Sequence, residues 1–170
     1  SPDEQVRKSL VDILGRVPDP RAIHTVTTML ADPDPNVRAA AAQAAGQLRA
    51  AEAVPALIRL LTDAEWIVFA ALSALAEIGA KSALPALLPL LTSASRTVRY
   101  GTLEAIARID TRGTSVPTLI TLAHTAEPDL RPALIKALVS INGTHAGYIA
   151  LLTGRHIREL PWIDLRRARP

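Results

Sequence analysis

The chain has 170 residues, 49% apolar but only 3% aromatic, no cysteine and a net charge of +3. Disulfides and thiolate metal sites are excluded, and no run of 18 apolar, uncharged residues is present to span a bilayer. Ala and Leu must therefore build the core, as helix-on-helix packing allows where small side chains let backbones approach. The charge is uneven: residues 1–152 hold 14 Lys and Arg against 14 Asp and Glu, while Arg155, Arg158, Arg166, Arg167 and Arg169 supply the whole excess. A pI near 9.8 suggests nucleic acid, but a balanced array without a basic stripe argues against that partner. Ser1–Leu10 does not read as a signal peptide. The lack of cysteine suits a reducing compartment, so a cytoplasmic protein is expected, and 16 Arg against 3 Lys points to a bacterial source.

In chain order, one pattern recurs about every 31 residues. Val6, Val37, Val68, Val98 and Leu130 align, with gaps of 31, 31, 30 and 32. Three residues before each stands an acid or hydroxyl: Asp3, Asp34, Glu65, Ser95, Glu127. Arg follows in four of the five: Arg7, Arg38, Arg99, Arg131. Three after is always small: Ser9, Ala40, Ala71, Gly101, Ala133. A period of this size predicts stacked helical hairpins. The units lie near 3–33, 34–64, 65–94, 95–126 and 127–153, about ten helices in all, and a basic cap or tail occupies 154–170.

The unit 34–63 shows the grammar. Asp34 suits an N-cap, Pro35 the first helical position, and Asp34 with Arg38 reads as an i,i+4 ion pair. Val37, Ala40, Ala41, Ala44, Ala45 and Leu48 share one helical face. The second helix buries Leu57, Ile58, Leu60 and Leu61. Leu87, Leu88, Leu90 and Leu91 repeat it, as do Leu119, Ile120 and Leu122, and then Tyr148, Ile149, Leu151 and Leu152. Pro89 and Pro132 sit about four residues past a helix-opening Pro and predict a kinked or frayed first turn. Residues 22–30 carry Thr where other units carry Leu, as a terminal repeat does.

The words VRAAAAQAAGQL, AVPALIRLLTD, ALSALAEIG and SALPALLPLLT make the chain resemble HEAT repeats, in the short variety of phycobilisome-lyase-type proteins. The likeness covers roughly residues 3–153. It implies an all-α fold, an α-solenoid of about five stacked hairpins (an armadillo-like α-α superhelix), with the helix that carries the Val-Arg pair lining the concave surface. It does not imply one function, because such repeats serve scaffolds, regulators, lyases and hydroxylases.

Chemistry is sparse. Phosphate loops, GxGxxG and GxSxG are absent. None of His24, His124, His145 and His156 is followed by Glu, so the paired His-Glu dyads of hydroxylases with this fold are missing. Glu65, Glu77 and Glu104 could face one another across repeats as acid–base carboxylates, but a solvated face paired with Arg96, Arg99 or Arg108 is the simpler reading. No cofactor, metal or catalytic residue is assigned.

A binding surface is more legible. Offsets −2, +2, +6 and +10 from the aligned aliphatic form one row: Pro35, Ala39, Gln43, Gln47; then Trp66, Ala70, Ala74; then Arg96, Tyr100, Glu104, Arg108; then Pro128, Pro132, Lys136, Ser140. Phe69 replaces the usual Arg beside it. Aromatics next to Arg make protein-binding hot spots, so Trp66, Phe69, Arg96, Tyr100 and Glu104 are the expected partner-binding residues, with Trp66, Arg96 and Tyr100 flanking Ala70 and Ala74. Phe69 also reads as the cover of an inter-repeat seam. In the tail, Leu160, Trp162, Ile163 and Leu165 beside five Arg read as a cap on the last repeat, with membrane-surface or nucleic-acid contact as the other reading. The expected function is a non-catalytic scaffold or regulatory module binding a protein or another segment of its parent chain. The alternatives are a nucleic-acid binder of the HEAT-like DNA glycosylase kind and a bilin-lyase-like enzyme.

Overall fold

The computed structural model describes residues 2–125 and 129–141. They form nine α-helices: α1 (Pro2–Leu14), α2 (Pro20–Met29), α3 (Pro35–Gln47), α4 (Val54–Arg59), α5 (Glu65–Ile78), α6 (Leu84–Leu87), α7 (Arg96–Ile109), α8 (Val116–Thr125) and α9 (Arg131–Ile141). Among the described residues there is no strand, and no helix is long and apolar enough to cross a membrane. The odd-numbered helices pack side by side, α1 on α3, α3 on α5, α5 on α7 and α7 on α9, and each even-numbered helix leans on the odd one that follows. The fold is an all-α solenoid whose apolar strip runs unbroken from Val11 through Leu57, Leu75 and Ile106 to Leu138.

The helix starts follow from local chemistry. The Asp34 carboxylate accepts from the Asn36 and Val37 amides at 2.8 and 3.1 Å, and Pro35 needs no acceptor at the first position. Asp19 with Pro20 does the same for α2, and the Ser95 hydroxyl accepts from the Val98 amide. Glu65 departs from this pattern: Ala64 holds the cap position and Glu65 opens α5 itself, where its charge suits the positive end of the helix. At the other end of α5, Gly79 turns left-handed at φ 72°, and the Ala80 amide bonds back to the Leu75 carbonyl. Arg49 makes the matching turn after α3 at φ 49°.

The second helices are shorter than expected. α4 and α6 tighten into 3-10 turns at Leu60–Thr62 and Leu88–Thr92. Pro89 lies in the longer turn, which fits its missing donor, although the first turn forms without a proline. Pro132 does not kink α9. The helix opens at Arg131, so Pro132 lies in the first turn, where its amide would have no intrahelical acceptor anyway. In α2 the three replacing threonines, Thr25, Thr27 and Thr28, bond back to carbonyls four residues earlier, while Ala22 and Val26 hold the core.

Val6 is the clearest departure within the aligned positions. Val37, Val68, Val98 and Leu130 are buried, yet Val6 is 66% exposed. Leu10, Ile13 and Val17 are exposed with it. Between α7 and α8 the buried Asp110 gathers the loop. Its carboxylate accepts from the backbone amides of Arg112, Thr114 and Ser115 and from the Thr114 and Ser115 hydroxyls. Burial pushes this acid up, but the Ser115 and Thr114 donors outweigh it and hold the pKa at about 2. The expected last hairpin copy at Tyr148–Leu152, the capping acid Glu127 and the segment 154–170 lie outside the described residues.

Candidate protein-binding site

The repeat-position arginines are the framework of the site. Arg38 does not pair with Asp34 four residues earlier, as their spacing suggested, and the long-range acid takes it instead. Arg7 reaches forward to Asp32 through Nε and Nη2 at 2.7 and 2.9 Å. Arg38 reaches Asp63 in the same fork at 2.7 and 3.0 Å. Each acid lies 25 residues on, at the foot of the next odd-numbered helix. The paired geometry and partial burial explain the choice: Asp34 is already spent on two backbone amides, while a bidentate fork saturates guanidinium and carboxylate together. Arg7 holds the Asp32 carboxyl below its ordinary value, and Arg38 does the same to Asp63. Arg38 also donates backward to the Asp32 and Pro33 carbonyls, and Arg99 donates likewise to the Ser93 and Ala94 carbonyls.

The ladder then breaks on both sides of one rung. Phe69 stands where the next Arg belongs, and Ser93 stands where its Asp belongs, five before Val98 as Asp32 and Asp63 are before Val37 and Val68. Phe69 is 49% exposed and lies against α7, where a Cβ on Gly101 would come within 3.3 Å of its ring. Gly101 is buried, as its always-small position predicts. The residue acts as a seat for the Phe69 ring as well as a close helix contact.

Across from Phe69 the other wall is pinned. Tyr100 donates its hydroxyl to the Asp129 carbonyl at 2.7 Å. Arg96 pairs with the Asp129 carboxylate at 3.3 Å and places its guanidinium 5.3 Å from the centre of the Tyr100 ring. Between the walls opens a pocket of about 530 Å³ along α5, α7 and α9. Its lining includes Ala107, Ala133 and Ala137 on the apolar side and Glu104, Arg108 and Lys136 as charges. Glu104, Arg108 and Lys136 are exposed, and among the described residues none of the three is drawn into an ion pair within 4 Å.

The expected site residues thus divide. Phe69, Tyr100 and Glu104 line one pocket, and Arg96 braces its Tyr100 wall. Trp66 is 48% exposed near the start of α5 but is not part of that lining. Ala39, Ala70 and Ala74, placed on the surface row from their offsets, are buried. Ala70 and Ala74 floor a separate hollow of about 230 Å³ edged by Gln43, Gln47, Ser73 and Glu77, not one flanked by Trp66 and Tyr100. Glu77 and Glu104 therefore sit in different hollows, and Glu65 lines neither. The anchoring role of Asp129 and the seat at Gly101 escaped the repeat comparison, because both depend on contacts between units. The paired loss of Arg at 69 and Asp at 93 was a signal in plain view at a fixed offset. Among the described residues no three of His, Cys, Asp and Glu gather as metal ligands.

A family model for HEAT repeats matches residues 1–76, 29–96 and 84–168. No curated protein matches the chain. Among solved structures, the complex of CpcE and CpcF of phycocyanin lyase from Nostoc sp. PCC7120 is similar at 27% identity and a TM-score of 0.54, over 82% of this chain and 58% of that one. This chain therefore spans less than two thirds of that relative. An engineered protein is similar in fold at 20% identity and a TM-score of 0.63, over 96% of this chain and 87% of that one.

Proposed function

The chain belongs to the HEAT-repeat family, and on that premise we propose that it is a non-catalytic binding module which holds a protein partner on the face of its odd-numbered helices. The pocket between Phe69 and Tyr100 carries this reading. It is open to solvent, walled by two aromatic rings, floored by alanines and edged by charge. Aromatic walls around a desolvatable floor are where a few side chains dominate affinity. Trp66, nearly half exposed on the same helix as Phe69, extends the surface toward the start of α5.

The test uses the full chain as bait in extract of its host, with mass spectrometry to identify what is retained. Replacing Phe69 and Tyr100 together by Ala should abolish retention of the specific partner, while Lys8→Ala, remote on α1, leaves it intact. Trp66→Ala alone reports how far the surface reaches. Normal capture by a folded double variant would move the binding surface elsewhere.

A second reading, membership of a lyase-type complex, rests on the 27% identity with the phycocyanin lyase structure. A pigment that co-purifies with the chain and leaves a coloured adduct on an acceptor protein favours it over plain scaffolding. For nucleic acid the charge is wrongly mixed: Glu104 shares α7 and the pocket with Arg108, Lys136 stands on α9, and Glu77 on α5 lines the neighbouring hollow.

A further inference from the structure

The break in the arginine ladder and the pocket beside it are one construction. At the two intact rungs an Arg spans to an Asp and the surface is sealed by an ion pair. At the third rung both partners change together. The Phe that replaces Arg turns its ring onto Gly101 and becomes a wall of the 530 Å³ pocket. A Phe here gives up a half-buried bidentate pair and leaves about half of a large apolar residue in water, which is costly unless something covers it. The opposite wall is held by two contacts to Asp129, so the pocket is shaped before any ligand arrives.

Resting on the binding reading above, we propose that this pocket accepts one bulky aromatic side chain from an acidic segment of another protein, whose carboxylates meet Arg108 and Lys136. The aromatic part follows from the walls and floor: rings at Phe69 and Tyr100 favour offset or edge contacts with a third ring, and the alanines leave room for it. The acidic part follows from charge. The pocket carries two exposed cations against one carboxylate, Glu104, and neither cation pairs within the described structure. A segment rich in Lys would face both cations, and an apolar segment would leave them dry and unpaired as it closed over them. Glu104 sets the register by repelling a carboxylate placed on its side of the pocket.

The experiment is fluorescence anisotropy on the full chain with a short labelled peptide bearing one central Trp between pairs of Asp. Two control peptides replace the Trp by Ala or every Asp by Lys. The Trp-Asp peptide should bind saturably, the Ala control at least about tenfold more weakly, and the Lys control not measurably. On the protein side, Arg108→Glu with Lys136→Glu should abolish binding. The decisive variant is Phe69→Arg with Ser93→Asp, which restores the missing rung: its melting temperature should equal or exceed that of the parent, yet peptide binding should be lost. With a melting temperature no lower than the parent's, loss of binding there is not unfolding. Retained binding in the restored-rung chain, or equal binding of all three peptides, overturns the proposal. So does a synthetic peptide of residues 157–167, which carries Trp162 between Glu159 and Asp164, if it outcompetes the acidic probe, since the occupant would then be the chain's own tail. If the peptide fails while partner capture still depends on Phe69 and Tyr100, the pocket's ligand chemistry is wrong and the binding reading survives. If both fail, both fall.

Discussion

At the scale of single residues, the determining feature is how little room separates neighbouring helices. Gly101 has no Cβ, and one placed there would sit 3.3 Å from the Phe69 ring and 3.4 Å from the Leu72 side chain. The first contact is tight and the second ordinary, so a methyl group needs the ring to give by a few tenths of an ångström. A branched side chain must displace the Phe69 ring to fit. Gly101→Leu is expected to cost about 1–3 kcal/mol through overpacking, read as a drop in melting temperature. It should also shift the Phe69 ring out of the pocket wall. A melt identical to the parent would mean that α5 and α7 are not in the contact described. The smallness of this position was legible from the five aligned repeats. Its partner was not, because Phe69 is a local exception to the repeat and nothing at a fixed offset says where an exposed ring will lie down.

Among the elements, ion pairs that look alike on paper differ by their setting. Arg38 and Asp63 tie α3 to the foot of α5, with side chains only 19% and 23% exposed and a forked geometry. Lys8 and Asp12 are an i,i+4 pair on α1 with side chains 43% and 47% exposed. Exposed pairs contribute little because water screens them and ordering two long side chains costs entropy. A half-buried fork that loses one partner strands a charge. Asp63→Ala is therefore expected to destabilise by about 1–3 kcal/mol, and Lys8→Ala by less than about 0.5 kcal/mol, both measured by denaturant unfolding. Equal effects would sink the distinction. The hairpins themselves could be read from the sequence because each carries its own caps, prolines and apolar face within about 31 residues. The ladder could not be read with the same security. Asp34 and Asp63 are both plausible mates for Arg38, and only stacking shows that the nearer acid is occupied with backbone amides. The short, tightened second helices were also hidden, since apolar spacing does not distinguish an α-turn from a 3-10 turn over so few residues.

For the whole molecule, a stack of hairpins is stabilised interface by interface rather than through one core, so its response to acid need not be uniform. The carboxylates of Asp32 and Asp63 are held below their ordinary values by Arg7 and Arg38. A lowered folded-state pKa means that the stabilisation is fully present above the unfolded value of about 3.9 and is lost as pH falls through the folded value. Those two acids join α1 to α3 and α3 to α5. The interface of α5 with α7 has no such rung, since Phe69 and Ser93 replace it, and it relies on the Phe69, Gly101 and Leu72 contacts instead. Asp110, with a pKa of about 2, keeps the loop between α7 and α8 bonded to lower pH than an ordinary carboxylate would allow. Acidification from neutral to about pH 3 should therefore loosen the N-terminal interfaces first. Amide hydrogen exchange, corrected for its intrinsic pH dependence, should show lost protection in α1 and α3, while the facing segments of α5 and α7 change less and the Asp110 loop holds. Replacing Asp32 and Asp63 together by Asn should make the N-terminal protection low at neutral pH and remove most of its acid response. Uniform loss along the chain, or first loss between α5 and α7, would show that the ladder is not what couples these repeats.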